Sequence, residues 1–387
     1  MKLLKIAVEG LPLFNGKCEI DFIAQQRVSA QNAESMTLLF SNGLQNYYQK
    51  NVLAFTGINA SGKTMTLRLI AFVGKFLSSR GVNDISNDEI FACFDDNDKA
   101  VFDIYFYGRD DNVHLLHSEI VQRNGKFVIS AESLSSKPRT DIKNKAAIYD
   151  FSGVEPVSVR NGDETYLPDD VSIIIAFNKS NKESFYGIDT LGATNINRLL
   201  FDDSPSEILG FLDPTVECLK SIDKQNGGGV ELKFFDRPEI RLDNMLQLNR
   251  YLSSGTIRGL NIFSVVGKML KCGGMLLIDE IENHFNREIV STLIKFFMDK
   301  QVNPHGAVLV LSTHYAELLD EFDRNDNIYV VQNKGGIHVE NMSTLLSRND
   351  IKRSEAYQSG LLGDTAPSYE AYMALKKRLI ASAQEVD

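Results

Sequence analysis

The stretch that decides the fold is GINASGKT, residues 57–64. It matches the phosphate-loop pattern GxxxxGK[ST] and lies between a short apolar strand predicted at 52–56 and a helix predicted at 63–79. Its glycines allow successive backbone N–H groups to turn inward around a phosphate, and the helix N-terminus adds a favourable partial charge. The alternative, a glycine turn that matches the pattern by chance, would not be expected to lie between a strand and a helix. The stretch therefore predicts a nucleoside-triphosphate site in an α/β protein.

The residues of this loop have distinct expected roles. We expect Lys63 to bridge the β- and γ-phosphates and Thr64 to bind Mg²⁺. The remaining phosphate contacts are expected from the loop itself, at Gly57, Asn59, Ala60, Ser61 and Gly62. The predicted ligand is ATP, with Mg²⁺ as its cofactor.

Two polar clusters follow predicted strands further along the chain. The strand MLLID ends in Asp279-Glu280, and AVLVLST, predicted at 307–313, is followed by His314. Because the carboxyl ends of parallel strands lie at one edge of a sheet, we expect both clusters near the phosphate loop. Asp279 is then placed to hold Mg²⁺ through water, Glu280 to activate the attacking water, and His314 to sense the γ-phosphate. The alternatives are that Asp-Glu only caps a strand and that the histidine is structural; Glu282 is expected to make a loop contact.

Composition argues against several classes of protein. The 387 residues carry 41 basic and 51 acidic side chains, a net charge of −10, and 43% of them are hydrophobic. This balance is ordinary for a globular protein and argues against nucleic-acid binding through overall charge. The cysteines are far apart, which favours reduced thiols over a metal site or disulfides. No apolar run approaches the ~20 residues of a membrane span, and MKLLKIAVEGLPLF is unlike a signal peptide, so we expect a cytoplasmic protein with no membrane partner.

The rest of the chain shows alternating strand and helix patterns. Asn15-Gly16 and Asn124-Gly125 each predict a tight hairpin turn between apolar segments. Further strands are predicted at 100–107, 113–122, 126–133, 171–177, 230–235, 275–280, 327–332 and 336–340, and helices at 204–222, 256–271, 287–300, 315–323 and in most of the tail from 346. No heptad pattern is sustained, so a long coiled-coil arm is not expected.

Residues 251–260, YLSSGTIRGL, pose a separate question. Ser253, Ser254 and Gly255 precede a helical pattern, so Ser254 is a candidate N-cap. Hydroxyls and free N–H groups at a helix start also form an anion site. The pattern alone leaves open whether this element caps a helix or holds a phosphate.

The order of these motifs resembles that of the ABC-type ATPases. A phosphate loop, LSSGT, a helix, a strand ending in Asp-Glu and a strand ending in histidine follow one another within residues 1–345. GINASGKT, with Asn59, looks like the SMC, RecF and OLD branch. The chain is most similar to the compact, arm-less OLD-like AAA-family ATPases of bacteria, many of which act in anti-phage defence or abortive infection.

This resemblance implies a fold and a division of the chain. The expected fold is an α/β, ABC-type P-loop NTPase head with a mixed central sheet, N-terminal antiparallel strands and an inserted helical lobe. The phosphate-loop lobe would comprise residues 1–134 and 272–345, the inserted lobe 135–271, and a helical tail 346–387.

The resemblance also implies partners. In this family the serine-glycine element of one subunit closes over ATP held by another. Ser253, Ser254 and Gly255 would therefore cover the ATP of a second copy, in an ATP-dependent homodimer or higher oligomer. Such a dimer would act as a sensor or switch for a separate effector protein, such as a nuclease, or for nucleic acid.

The chain departs from the family pattern in several places. Ser254 replaces a glycine, Thr256 stands where a glutamine is frequent, and no Q-loop glutamine can be placed. The segment IENHFN after Glu280 differs from the transporter-type D-loop. The tail also lacks the acidic cluster of the OLD nuclease domain, so we do not expect this chain to be a nuclease itself.

Other functions remain open. A RecF-like repair or maintenance ATPase would bind DNA directly; Lys137, Arg139, Lys143 and Lys145 are basic residues of one predicted loop, for which a solvated loop is the simpler interpretation. A non-hydrolysing assembly protein would use ATP only to hold subunits together, which the intact Asp-Glu pair and histidine disfavour. A transporter ATPase subunit is disfavoured by the SMC-like loop and the missing Q-loop.

Overall fold

The fold is given by a computed structural model that describes residues 1–85, 88–160, 167–191, 206–222, 228–283, 285–346, 351–360, 362 and 369–384. The strands in these ranges are β1 (Lys2–Glu9), β2 (Cys18–Asp21), β3 (Met36–Ser41), β4 (Asn46–Lys50), β5 (Val52–Thr56), β6 (Lys99–Tyr107), β7 (Asn112–Arg123), β8 (Lys126–Pro138), β9 (Pro156–Arg160), β10 (Gly187–Asp189), β11 (Val216–Ser221), β12 (Val230–Phe234), β13 (Ile240–Leu242), β14 (Met275–Ile278), β15 (Val308–Thr313), β16 (Ile328–Asn333) and β17 (Ile337–Asn341). The α-helices are α1 (Ala30–Ala33), α2 (Lys63–Leu77), α3 (Lys145–Tyr149), α4 (Ile174–Asn181), α5 (Ser206–Leu212), α6 (Ser254–Cys272), α7 (Arg287–Met298), α8 (Met342–Leu345), α9 (Arg353–Gln358) and α10 (Tyr369–Gln384).

A six-stranded sheet in the order β10-β14-β15-β5-β16-β17 forms the centre of the fold. The strands from β10 to β16 are parallel to their neighbours, and β17 pairs antiparallel to β16 at one edge. Every residue of β5, β14 and β15 is buried. Such uninterrupted apolar strands form where both faces of a sheet are covered. The protein is therefore a mixed α/β fold, as the sequence predicted.

Different helices cover the two faces of this central sheet. On one face, α2 lies in a buried cluster shared with a second six-stranded sheet, in the order β2-β1-β6-β7-β8-β9, which is antiparallel throughout. Phe72 of α2 packs on Phe102 of β6 with ring centroids 5.5 Å apart. On the opposite face, α6 and α7 form another buried cluster with the other side chains of β5, β14 and β15.

Of the two predicted hairpin turns, one is confirmed. Asn124 and Gly125 both have positive φ, 53° and 74°, and they join β7 to β8 with Arg123 opposite Lys126. The turn at Asn15-Gly16 was wrong. β1 and β2 do pair, but residues 10–17 form a longer connection, in which Asn15 N donates to the carbonyl of Ile337 at 2.9 Å. Pairing with β17 therefore replaces a local two-residue turn.

The strand predicted at 171–177 was also wrong. The segment enters α4 instead, and the buried carboxylate of Glu132 accepts hydrogen bonds from the Ser172 hydroxyl (2.6 Å) and from Ile173 N (2.8 Å). A short apolar run fits a buried helix as well as a strand. The contact with β8 fixes the start of the segment.

The insertion is not the helical lobe that we expected. Its described part contains a three-stranded antiparallel sheet, β11-β12-β13, packed with α5 and the first turns of α6. The helix predicted at 204–222 ends at Leu212 among the described residues, and β11 follows. A bulge between Val216 and Cys218 places Val216 and Leu219 on the same buried side. Buried residues three positions apart are typical of a helix, and this spacing therefore led to the wrong prediction of a helix here.

The remaining helical predictions are partly confirmed. α6 and α7 lie where they were expected, whereas the predicted helix at 315–323 is a 3₁₀ helix at Ala316–Glu321. α9 and α10 lie in the tail, and residues 347–350, 361, 363–368 and 385–387 lie outside the described residues. Within the described part of the chain, we find no helix with the length and apolar character needed to cross a membrane.

Candidate functional site

The site lies at one edge of the central sheet, where three parallel strands end. β15 lies between β5 and β14, with Thr313 opposite Thr56 and Leu311 opposite Ile278. The phosphate-loop stretch, Asp279-Glu280 and His314 each follow the end of one of these strands. The register therefore brings together three segments that are far apart in the sequence.

The phosphate loop is held by the β16–β17 hairpin. A Cβ on Gly57 would lie 2.3 Å from the carbonyl oxygen of Val331. This distance is too short for any side chain to be accommodated without a shift of the backbone. Gly62 has φ +102°, and a Cβ there would lie 2.6 Å from the side chain of Ile337. Asn333 Nδ2 donates to the carbonyl of Ala60 at 3.4 Å. Close packing therefore favours glycine at both positions, and at Gly62 the positive φ favours it as well.

Lys63 is enclosed by this loop. Its side chain is buried, and Nζ donates to the carbonyls of Gly57 (2.9 Å) and Ile58 (3.0 Å) and lies 3.3 Å from Nδ1 of His314. Burial lowers the pKa of Lys63, and the nearby acidic groups, Asp279 first among them, oppose this shift. The ammonium group is thus held among neutral acceptors, which the oxygens of an anionic phosphate can replace as stronger partners.

Thr64 and Asp279 are in direct contact. The Thr64 hydroxyl donates to Asp279 Oδ2 at 2.7 Å, and the Ser312 hydroxyl donates to the other carboxylate oxygen. Asp279 is only 5% exposed. A hydroxyl and a carboxylate oxygen at this spacing are the kind of hard oxygen ligands that Mg²⁺ takes from a protein when it also binds phosphate. The residues present therefore fit a Mg²⁺ ion bound together with a nucleotide.

Glu280, which follows β14, and His314, which follows β15, face each other. Glu280 has φ +45°, a left-handed conformation that costs a non-glycine residue free energy. Its Oε1 lies 3.5 Å from Nε2 of His314, and its backbone N–H donates to the Ser312 hydroxyl at 2.8 Å. Glu282 Oε1 accepts from the backbone N–H of His314 at 2.5 Å, which makes Glu282 the expected loop contact. Side-chain and backbone contacts therefore hold the pair in place.

A cavity of about 720 Å³ opens onto these residues. One wall is the phosphate loop with Glu280 and His314, as the sequence predicted. The other walls were missed; they are Pro12, Leu13, Met65, Arg68, Asn333, Gly335, Gly336 and Ile337. The Gly335-Gly336 pair between two strands was the available sequence signal for the hairpin wall. That this pair forms part of the cavity wall is seen only in the structure, where β17 lies beside the phosphate loop.

Ser253, Ser254 and Gly255 do not line this cavity. Ser253 and Ser254 are exposed, at the start of α6. Ser253, not Ser254, is the N-cap: its hydroxyl accepts from Thr256 N at 3.0 Å, since its backbone is extended while Ser254 is already helical. The element therefore caps α6 and presents its outer side to solvent.

The predicted basic loop is only partly available to a polyanion. Lys137 Nζ donates to the carbonyls of Ala147 and Asp150 at 2.5 Å each, and burial lowers its pKa to about 8. Lys145 Nζ donates to the carbonyls of Gln25 and Gln26. Arg139 lies 3.5 Å from a carboxylate oxygen of Asp111, and Lys143 is exposed. Two of the four side chains thus point into the protein.

The predicted phosphate-loop, carboxylate and histidine residues therefore meet in one site, while the serine-glycine element lies elsewhere on the same chain. Comparison of the chain with protein-family models and with curated proteins found no match in either.

Proposed function

We propose that this protein is a Mg²⁺-dependent ATPase of the ABC type. The observation that supports this most is the contact of Thr64 with Asp279 directly beneath the phosphate loop that encloses Lys63. Two residues that the motif assigns to one metal ion meet although they are 215 positions apart. The cavity of about 720 Å³ is also large enough for a nucleotide.

The residues suggest a division of roles in hydrolysis. Loop N–H groups and Lys63 would bind the phosphates. Thr64 and Asp279 would hold Mg²⁺, which when bound neutralises phosphate charge. Glu280 Oε1 would accept the proton of the attacking water as the water oxygen bonds to the γ-phosphorus. The bond from the γ-phosphorus to the bridging oxygen would break, and ADP would leave with its electron pair. His314, which lies between Glu280 and Lys63, would orient the γ-phosphate.

The position of the serine-glycine element supports action between copies. Ser253 and Ser254 are exposed, the element lies outside the cavity of its own chain, and it is at the start of the 19-residue helix α6. A long helix directs free N–H groups and a positive partial charge outward at this end. We infer that Ser253, Ser254 and Gly255 contact the γ-phosphate of ATP bound to a second copy. ATP would then close a homodimer that ADP cannot close.

The wider biological role rests on the resemblance to OLD-like ATPases alone. In that reading the closed dimer is a switch for a separate effector protein or for nucleic acid, in bacterial anti-phage defence. A direct DNA-binding role for the 137–145 loop gains no support from its geometry, because Lys137 and Lys145 are bound to backbone carbonyls.

Equilibrium titration of ATP and ADP with Mg²⁺ tests the proposal. We expect the wild-type chain to bind both nucleotides, and Lys63→Met to weaken binding at least about tenfold, since it removes charge-assisted hydrogen bonds. Lys75→Met, on the same helix but outside the cavity, is the matched control and should bind normally. Equal nucleotide affinity of Lys63→Met and wild type would contradict the proposal.

A further inference from the structure

Asn283 holds one oxygen of the Glu280 carboxylate. Its Nδ2 donates to Glu280 Oε2 at 2.6 Å, and its backbone N–H donates to the Glu280 carbonyl at 2.8 Å, which closes the 3₁₀ helix Ile281–Asn283. The other oxygen, Oε1, lies on the side of His314. The two carboxylate oxygens thus have different partners: Asn283 holds Oε2, and Oε1 faces His314, which lines the cavity together with Glu280.

Arg258 connects Asn283 to the serine-glycine element. Arg258 Nη1 donates to the Asn283 carbonyl at 2.9 Å. Arg258 lies four residues after Ser254 on α6 and therefore on the same face of the helix, one turn further along. The start of α6 and the Glu280 carboxylate are joined in this way by two side chains.

Packing reinforces this connection. Ile281 is fully buried in the cluster that α6 and α7 share, and Phe263 of α6 contacts Phe285 with ring centroids 6.1 Å apart. A shift of α6 would therefore displace Ile281 and Phe285 as well, since close-packed interiors transmit strain. Glu280 is the residue directly before this segment.

We propose that Asn283 is a positioning residue for Glu280, and that Arg258 couples it to the N-terminus of α6. This inference rests on the proposed ATPase function. Contact of Ser253–Gly255 with nucleotide on a second copy would set the position of α6. Through Arg258 and Asn283, α6 would then align Glu280 with the nucleotide of its own chain. Each copy would hydrolyse its ATP only when its own serine-glycine element is engaged.

Four variants test the coupling: Asn283→Ala, Asn283→Asp, Arg258→Ala and Arg258→Lys. We expect Asn283→Ala and Arg258→Ala each to lower kcat about tenfold or more, with KM for ATP changed less than about twofold, because small misplacements of a catalytic group are costly. Asn283→Asp should lose more than Asn283→Ala, since it places a second carboxylate against Glu280. Arg258→Lys should restore part of the loss. ATP-dependent self-association should persist in all four.

A double variant and a control make the test decisive. Arg258→Ala combined with Asn283→Ala should lose no more than either alone, because the two act in series. Lys271→Ala, which removes an exposed basic residue at the other end of α6, should match wild type. Wild-type kcat in both alanine variants, or losses that multiply in the double variant, would overturn the coupling. The ATPase proposal would still stand if wild type hydrolysed ATP and Lys63→Met did not. A wild-type chain without turnover would overturn both.

Discussion

The hydroxyl of Thr64 donates a hydrogen bond to Oδ2 of Asp279 across 2.7 Å. Thr64 is in the first turn of α2, and Asp279 directly follows β14, which is separated from the phosphate-loop strand β5 by β15. The contact therefore joins the ends of two strands, β5 and β14, that are not neighbours in the central sheet. It places a hydroxyl and a buried carboxylate together, as a metal site shared with a nucleotide requires.

Removing the Thr64 hydroxyl should weaken Mg²⁺ binding. Thr64→Val keeps the shape of the side chain but loses one proposed ligand, so we expect at least about a tenfold loss in apparent Mg²⁺ affinity during turnover. Thr66→Val is the matched control, because the Thr66 hydroxyl donates to the Gly62 carbonyl at 3.0 Å and does not line the cavity. Titration of turnover with Mg²⁺ measures both. An unchanged Mg²⁺ requirement in Thr64→Val would exclude its assigned role.

Glu280→Gln should separate binding from hydrolysis. The amide cannot accept the proton of the attacking water, so turnover should fall by about 10²–10³, while nucleotide affinity is kept. We also expect ATP to hold this variant in its self-associated form, seen by analytical ultracentrifugation. Glu288→Gln, an exposed change in the first turn of α7, should behave as wild type. Full activity of Glu280→Gln would remove Glu280 from the mechanism.

Substitutions at Ser253 should distinguish the cap from the contact between copies. Ser253→Ala removes the acceptor for Thr256 N and should destabilise the protein by about 1 kcal/mol. Ser253→Asp keeps an acceptor but adds a negative charge where phosphates would approach, so Tm should stay near wild type while ATP-dependent self-association is lost. Asn144→Asp, the same kind of cap exchange at α3, controls for the added charge. Normal self-association of Ser253→Asp would rule out the phosphate contact.

Two histidines of β7 should give opposite dependences of stability on pH. His114 is 1% exposed and packed against Phe106, and its burial lowers its pKa below 6.5. It therefore contributes stability that is present above pH 6.5 and is lost as pH falls through its folded pKa. His117 Nδ1 lies 2.6 Å from Asp103 Oδ1, and the hydrogen bond that this carboxylate accepts raises the pKa of His117. Its contribution is present below pH 6.5 and is lost as pH rises through its folded pKa.

Thermal unfolding between pH 5 and 7.5 measures these contributions. His114→Gln should reduce the fall in Tm on acidification, whereas His117→Gln should increase it. The same change of slope in both variants would contradict the assigned shifts.

The parts of the fold that could be predicted from the sequence are those with strong local signals. β5, β14 and β15 are apolar runs buried on both faces, and the loop after β5 has a specific pattern. β11 was missed because its bulge gives a helical spacing of buried residues. The Asn15-Gly16 turn was predicted wrongly because the connection pairs with Ile337, more than three hundred residues away. Long-range pairing of this kind leaves no local trace.

In the candidate site too, the residues with a local sequence signal could be predicted, whereas those placed by long-range contacts could not. Lys63, Thr64, Asp279, Glu280 and His314 follow strand ends, and the order of parallel strands alone brings them together. Asn283 and Arg258 lie in segments that the sequence singled out for other reasons, and only the contacts in the structure reveal their connection to Glu280.

Release of phosphate from ATP, measured over a range of protein concentrations, tests the proposed function most directly. With Mg²⁺ present, wild type should release phosphate at a specific rate that rises with protein concentration, because we propose that a second copy completes the site. Lys63→Met and Glu280→Gln should release almost none. Release by Lys63→Met as fast as by wild type, or no release by wild type at any concentration, would contradict an ATPase built on this phosphate loop.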